Sequence, residues 1–283
     1  MILLDVRHLG VERVIASYLV ETEDGLALFD CGPTSTLEHL RAALAAEGVA
    51  VADLRHLLLS HIHLDHAGAA GSLVHENASL RVHVSAVGAP HLVDPSRLER
   101  SARRLYGDHF DEFWGELAPV PEANIEVAGE RVVGFDCFPT VGHASHHVSF
   151  LTSDGTLLAG DAAGVRIMPS EFVMPPTPPP DIDVEAWYAT IDEIERRGPD
   201  RLALVHFGVV DDVARHLGDL RERLGVWAER VRSGMGEDEF AEAAFGELSP
   251  ADRELFAHAI PPWQSYLGLK RYWEKRDTPA GAG

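Results

Sequence analysis

Cysteine is scarce in this chain of 283 residues, which contains only Cys31 and Cys137. Two cysteines form at most one disulfide, and they cannot build a structural zinc site from thiolates alone. We therefore expect both to be buried free thiols. The sequence also lacks an apolar run near the ~20 residues of a membrane helix and shows no signal-peptide pattern at its start. These absences predict a cytoplasmic protein without a membrane partner.

Basic residues are also few: 24 Lys and Arg stand against 45 Asp and Glu, for a formal net charge of −21. Nucleic-acid affinity depends largely on the neutralisation of phosphates by Lys and Arg. The acidity therefore disfavours a nucleic-acid partner and a nuclease activity. We attribute the charge to solubility, and the 46% of apolar residues fits a globular protein.

Strand-like segments are followed by helix-like segments, and this pattern occurs roughly twice along the chain. Such an order indicates sheets that pack together and are covered by helices. Asp24-Gly25 and Asp154-Gly155 predict hairpins between β-prone runs. A helix is predicted from Thr34 to Gly48, opening with a capping box. The box pairs Ser35 with Glu38. The segment RLALVHFG predicts one further strand.

Two helical regions stand apart from this pattern. Pro95 to Leu117 is rich in charges and aromatics, and we predict a helical insertion that covers a site. The Pro-rich segment PSEFVMPPTPPPDID predicts an extended loop. From Asp211 onward the pattern is helical. We therefore divide the chain into a main domain, 1–210, and a helical extension, 211–283.

The segment His61-Ile62-His63-Leu64-Asp65-His66 places three imidazoles and a carboxylate directly after a predicted strand. In extended backbone, alternation sends His61 and His63 to the same side, so both can bind one metal. Where the chain turns into a helix, Asp65 and His66 are redirected toward a second ion. Imidazole and carboxylate without thiolate suit an open catalytic site for zinc, iron or manganese.

With this cluster, the chain resembles the metallo-β-lactamase superfamily from about residue 15 to 208, through five motifs in order. The motifs are Asp30 in LFDCG, the histidine cluster, His143 in TVGHAS, Asp161 in LLAGDA and His206 in LVHFG. The resemblance implies an α+β fold, a four-layer αββα sandwich, here with the helical C-terminal extension.

The resemblance also implies a dinuclear site. One metal would be held by His61, His63 and His143, and the other by Asp65, His66 and His206, with Asp161 bridging both. Asp30 would orient a ligating imidazole by accepting its distal N–H, as such partners do. The catalytic set expected on this basis is Asp65, Asp161 and Asp30.

The expected activity is hydrolysis of a small thioester, ester or lactone by a metal-bridging hydroxide, with two divalent ions, zinc before iron or manganese. Two alternatives of the same fold stay open, an iron-dependent, sulfur dioxygenase-like oxidoreductase and a phosphodiesterase. A metal-stabilised binding protein is a third, non-catalytic interpretation. The sequence identifies no proton donor for a leaving group and no particular substrate.

Substrate contacts are expected from the insertion, from the Pro-rich loop between Met174 and Pro180, and from aromatic residues of the tail. Those aromatics are Trp263, Tyr266 and Tyr272, with core packing or a dimer interface as the alternative. Arg103 and Arg104 either bind a substrate carboxylate or are solvated. A homodimer through the helical tail is one arrangement that the sequence allows. His147 either supports the metal ligands or belongs to the following strand.

Overall fold

The computed structural model describes residues 1–277, and its framework is two six-stranded mixed sheets. In the first sheet the spatial order of the strands follows the chain. Its strands are β1 Ile2–Asp5, β2 Ala16–Thr22, β3 Gly25–Phe29, β4 Leu54–Leu58, β5 Arg81–Val84 and β6 Ile125–Val127. β1, β2 and β3 pair antiparallel, whereas β3 to β6 pair in parallel.

The second sheet is formed by β7 Arg131–Val132, β8 Phe135–Pro139, β9 Val148–Leu151, β10 Thr156–Leu158, β11 Arg201–Leu204 and β12 Gly208–Val210. Its spatial order is β12-β11-β10-β9-β8-β7. β10 and β11 pair in parallel and the other neighbours pair antiparallel. Both hairpins predicted from Asp-Gly pairs are present, between β2 and β3 and between β9 and β10.

The two sheets pack face to face around the main core. The rings of Phe29 on β3 and Phe150 on β9 meet edge to face, with centroids 6.1 Å apart. The hydroxyl of Tyr18 on β2 donates to the carbonyl oxygen of Leu204 on β11 at 2.6 Å. All four residues are fully buried. Such interdigitation of inner faces is how two sheets exclude water between them.

Helices flank this pair of sheets. They are α1 Leu37–Ala46, α2 Leu64–Ala67, α3 Ala70–Glu76, α4 Ala89–Val93, α5 Ser96–Tyr106, α6 Phe110–Trp114, α7 Val184–Arg197, α8 Val213–Arg232, α9 Glu237–Phe245, α10 Pro250–Ala259 and α11 Pro262–Asp277. In α7, Trp187, Ile191 and Ile194 recur at helical spacing and are fully buried. The predicted α+β sandwich with C-terminal helices is therefore confirmed.

Three local predictions were wrong or incomplete. The capping box is absent, because the Ser35 hydroxyl donates instead to the carbonyl of Phe113 at 2.6 Å. The strand predicted in RLALVHFG stops at Leu204, where the chain turns and returns antiparallel as β12. The edge strands β1 and β6 were not predicted, since three- and four-residue strands contain too little alternation to detect.

Both cysteines are buried free thiols, as predicted. Within residues 1–277, no helix is long and apolar enough to cross a membrane. The division of the chain near residue 210 stays a prediction. The last six positions of the predicted extension, 278–283, lie outside the described residues.

Candidate metal centre

The histidine cluster lies where β4 ends and the chain enters α2. His63 precedes the helix with extended backbone, at φ −62° and ψ 153°, and α2 then contains Asp65 and His66. The extended part places His61 and His63 side by side, with Nε2 of His61 2.9 Å from Nδ1 of His63. The change from extended to helical backbone therefore divides the motif into two pairs of side chains, as the sequence predicts.

The other three predicted ligands follow strands of the second sheet. His143 lies between β8 and β9, Asp161 follows β10 and His206 follows β11. The fold brings all seven residues together in three overlapping groups, each with its ligand atoms within 4.8 Å of one another. The groups are His61, His63 and His143; His61, His66 and Asp161; and Asp65, His66 and His206.

The first group consists of three nitrogen atoms that face a common point. Nδ1 of His63 lies 2.9 Å from Nε2 of His61 and 2.9 Å from Nε2 of His143. The opposite nitrogen of His143 donates to the carbonyl oxygen of Pro176 at 2.8 Å, which leaves Nε2 without a proton in the neutral ring. Nitrogen lone pairs that converge in this way suit a divalent cation.

The second candidate metal position is surrounded by buried acceptors that make no hydrogen bond among residues 1–277. Nε2 of His66 and Nε2 of His206 are buried and make no hydrogen bond. The Nδ1 atom of His206 donates to the carbonyl of Val14 at 2.6 Å, so its Nε2 is also an acceptor in the neutral ring. Oδ2 of Asp65 lies 3.2 Å from this atom. Because unpaired buried acceptors are costly, a bound cation is the partner that this donor set fits.

Asp161 lies between the two metal positions and directs one oxygen toward each. Its Oδ1 is 3.4 Å from Nε2 of His66, and its Oδ2 is 3.4 Å from Nε2 of His143. The same Oδ1 is buried without a hydrogen bond in the described part of the chain. This arrangement fits the bridging role expected of Asp161.

Asp30 does not face the candidate metal positions. It hydrogen-bonds to Nδ1 of the candidate ligand His66, the ring nitrogen that points away from those positions, and to Ser60. Its Oδ2 accepts hydrogen bonds from Nδ1 of His66 at 2.7 Å and from the Ser60 hydroxyl at 2.6 Å. Its Oδ1 accepts from the Ser60 backbone N–H at 2.8 Å. The Ser60 hydroxyl also lies 2.9 Å from Nδ1 of His61. Asp30 thus orients an imidazole, as expected, and is a positioning residue.

Burial and neighbouring charges shift the pKa values of this cluster in opposite directions. Burial lowers the pKa of His61 and His63 well below the ordinary value of 6.5, which favours neutral rings. Burial also lowers the pKa of His66, but the carboxylates of Asp161, Asp65 and Asp30 together raise it well above 6.5. The negative charges around His66 thus favour a cation at this position, whether a proton or a metal ion.

His147, whose role the sequence left open, contacts the candidate ligand Asp161. Its Nε2 accepts the backbone N–H of Asp161 at 3.1 Å, and its Nδ1 lies 2.8 Å from the Thr140 hydroxyl. The ring also stacks on His61 with centroids 4.8 Å apart. His146 packs on the same ring of His61, whereas His56 and His83 contact each other in the first sheet.

A cavity of about 560 Å³ opens onto the candidate ligands His63, Asp65, His143 and Asp161. Its walls come from α5 and α6, from the loop at Pro178–Pro180 and from the end of α10 through α11. Helices α5 and α6, which lie within the segment predicted to be an insertion, therefore line this cavity. Its lining is mostly apolar, with a few polar groups, as is usual for small-molecule sites.

Several predicted substrate contacts lie elsewhere. Trp263 and Arg104 line the cavity, but Arg103 pairs with Glu99 and Asp111. Tyr266 packs against Phe240, and the hydroxyl of buried Tyr272 donates to Glu185, so the packing alternative applies to both. Buried Met174 does not line the cavity either.

Sequence reasoning missed His8, which lines the cavity, donates from Nε2 to the carbonyl of Phe113 at 2.9 Å and stacks on Trp114. No motif surrounds His8 in the sequence. Only the tertiary structure, in which His8 packs against Phe113 and Trp114 of α6, shows that it lies at the cavity.

Comparison with known proteins agrees with this geometry. The metallo-beta-lactamase superfamily profile matches residues 10–208. The metallo-beta-lactamase fold-containing protein ST1585 of Sulfurisphaera tokodaii is 28% identical over 166 residues, 56% of this chain and 62% of that protein. The chain thus spans about three fifths of the length of the curated relatives it matches.

Solved structures extend the likeness beyond the matched segment. The structure of ST1585 covers 91% of this chain and 93% of its own, with a TM-score of 0.64 at 20% identity. TTHA1429 from Thermus thermophilus covers 93% and 89%, with a TM-score of 0.62 at 22% identity. TTHA1623, solved in a di-iron-bound form, covers 74% and 93%, with a TM-score of 0.54 at 25% identity. On the extent of the profile match and the shared fold, the chain belongs to the metallo-beta-lactamase superfamily.

Proposed function

We propose that the chain is a dinuclear metal-dependent hydrolase that acts on a small thioester, ester or lactone. The observation that supports this most directly is a set of buried acceptor atoms without a hydrogen bond, on His66, Asp161 and His206, of which Asp161 also lines a mostly apolar cavity. Acceptors that face a cavity mark an open site, where a cation can bind both the protein and a substrate.

In this proposal, His61, His63 and His143 hold one divalent ion, and Asp65, His66 and His206 hold the other, while Asp161 contacts both. Bound there, such ions would lower the pKa of a water molecule, which would serve as the nucleophile, and would polarise the substrate carbonyl. The side chains keep the two positions adjacent: Asp161 spans them, and Asp30 holds the His66 ring in its orientation.

The cavity supports a small substrate rather than a polymer. Its volume of about 560 Å³ lies in the range of small-molecule sites, and α5, α6 and α11 enclose it from several sides. The net charge of −21 would repel a polyanion. We therefore place esters and thioesters before phosphodiesters.

An iron-dependent oxidoreductase is the second candidate. It is favoured by one observation, the similarity to TTHA1623, which was solved in a di-iron-bound form. Imidazole and carboxylate ligands accept iron as well as zinc. Zinc is our first choice of metal, and manganese is the further alternative.

The test is to measure zinc, iron and manganese per chain in protein purified without added metal, together with turnover of thioesters, lactones and phosphodiesters. We expect about two ions per chain, and hydrolysis of a thioester or lactone that stops when a chelator removes them and returns with the metal. His143→Ala should lose metal and turnover together, whereas the exposed Arg100→Ala should lose neither.

Two ions per chain without hydrolysis of any ester or thioester would contradict the proposal. Iron together with oxygen-dependent redox turnover would favour the second candidate.

A further inference from the structure

Tyr106, the last residue of α5, lies on the wall of the metal cavity. Its ring meets the rings of Trp114 and Trp263 edge to face, with centroids 5.0 and 6.3 Å apart. Trp114 belongs to α6 and Trp263 to α11, so the insertion and the C-terminal helices together fix the ring. Tyr106 is partly buried and belongs to none of the five superfamily motifs.

The hydroxyl of Tyr106 has a defined hydrogen-bond polarity. Nε2 of Gln264 donates to Oη of Tyr106 at 3.2 Å, and Gln264 is itself buried. A phenol oxygen can accept one hydrogen bond and still donate its own proton. Within residues 1–277, this hydroxyl makes no other hydrogen bond. Its O–H is therefore free to donate to a molecule in the cavity.

The surroundings keep this proton on the phenol. Burial and the negative charge of Asp65 both raise the pKa of Tyr106 above its ordinary value of 10. The groups at the cavity floor are mainly acceptors, since the ligand nitrogens and carboxylate oxygens face the metal positions. The nearby ring of His8 already donates from Nε2 to the carbonyl of Phe113. The Tyr106 O–H therefore offers a substrate a hydrogen-bond donor, which the acceptor atoms of the candidate ligands do not provide.

We propose that Tyr106 is a catalytic residue whose O–H donates a hydrogen bond to the leaving-group oxygen of an ester or lactone substrate. This inference rests on the proposed hydrolase function. The attacking water loses one proton to solvent, and its oxygen forms the new bond to the carbonyl carbon. The bond from that carbon to the leaving oxygen then breaks. The leaving oxygen keeps the electron pair of that bond. Tyr106 stabilises the developing charge without losing its proton, and solvent water protonates the alkoxide.

A leaving sulfur needs this donor much less than a leaving oxygen does. A thiolate is the weaker base, with a conjugate-acid pKa near ~8.5 in a cysteine side chain. A nitrophenolate leaves easily for the same reason. The effect of Tyr106 should therefore grow with the basicity of the leaving group, which distinguishes this role from a merely structural one.

The experiment compares the wild type with Tyr106→Phe and the control Tyr266→Phe, each at its measured metal content. Tyr266 makes no hydrogen bond among the described residues and packs against Phe240 outside the cavity. The substrates share one acyl group and carry ethanol, 4-nitrophenol or ethanethiol as leaving groups. A second variant, Gln264→Glu, replaces the donor with an acceptor, a carboxylate that would itself accept the hydrogen bond from the Tyr106 O–H.

We expect Tyr106→Phe to lower kcat for the ethyl ester roughly 10- to 100-fold, with KM nearly unchanged. Its kcat for the nitrophenyl ester and the thioester should stay within about 3-fold of the wild type, because their leaving groups need less stabilisation. Gln264→Glu should show the same dependence on leaving group, and Tyr266→Phe should match the wild type throughout.

An equal loss on all three substrates, or no loss, would overturn the role of Tyr106 while the hydrolase function stands. A wild type that cleaves the thioester but no oxygen ester would also overturn that role alone. A metal-loaded wild type that cleaves none of the three substrates would instead overturn the proposed function, and the role of Tyr106 with it.

Discussion

Replacement of Asp30 by asparagine tests how far the site depends on a residue that does not itself face the metal positions. The Asp30 carboxylate is fully buried and accepts three hydrogen bonds, from the Ser60 N–H, the Ser60 hydroxyl and Nδ1 of His66. Asparagine has the same shape but only one acceptor oxygen. In one orientation the asparagine NH₂ group takes the place of Oδ2, and its N–H groups face the N–H of His66. In the other orientation the NH₂ group takes the place of Oδ1, and its N–H groups face the backbone N–H of Ser60. Either way at least one buried donor loses its acceptor, since Oδ2 accepts from both His66 and the Ser60 hydroxyl and Oδ1 accepts from the Ser60 N–H.

The magnitude follows from that lost acceptor. A buried donor left unsatisfied costs about 1–3 kcal/mol, and we expect the free energy of unfolding to fall by this amount. Loss of a partner that orients a metal-ligating histidine typically weakens metal binding roughly 10- to 100-fold. The loss should be larger at the position held by Asp65, His66 and His206 than at the position held by His61, His63 and His143, because Asp30 contacts His66 directly.

The assay is a competition titration of both metal positions against a chromophoric chelator, with urea unfolding measured in parallel. The matched control is Asp24→Asn, since the Asp24 side chain is 68% exposed and distant from the ligands in sequence. Binding at both positions with wild-type affinity would refute the argument. An equal loss at both positions would also refute it, because Asp30 hydrogen-bonds directly to only one candidate ligand, the imidazole of His66.

Three further predictions concern other parts of the structure. His147→Leu removes the acceptor for the backbone N–H of Asp161, so both metals should bind more weakly, measured as ions retained per chain after dialysis. Gly142 has φ +132°, and a Cβ added there would lie 2.4 Å from the backbone of Trp187 in α7. Gly142→Ala should therefore lower the free energy of unfolding by about 2–4 kcal/mol. The control Gly129→Ala, with open space around it, should leave stability nearly unchanged. Burial lowers the pKa of His216 to about 4, below the ordinary value of 6.5. Between these two pH values the unfolded chain binds more protons than the folded chain. The free energy of unfolding should therefore fall as the pH decreases from 6.5 to 4. His216→Gln should reduce that decline, measured as urea midpoints at pH 7 and 5; an unchanged decline would contradict the assignment.

The sequence was most informative where the chemistry depends on neighbouring residues. The spacing of His61, His63, Asp65 and His66 predicted two pairs of ligands, because alternation and the start of a helix act over a few residues. Both Asp-Gly hairpins were predicted for the same reason. Predictions failed where distant contacts intervene, as when Ser35 donates to Phe113 instead of capping its own helix.

Sequence by itself therefore determined the superfamily, the two-sheet fold and the residues of the candidate metal centre, since these depend on local periodicity and on ordered motifs. Only the tertiary structure decided which side chains surround the substrate space. It placed Trp263 and Arg104 at the cavity and excluded Tyr266 and Tyr272, and it brought Tyr106 onto Gln264 across 158 positions of the chain. Such contacts depend on how separate helices pack, and packing is a property of the whole chain that no short pattern encodes.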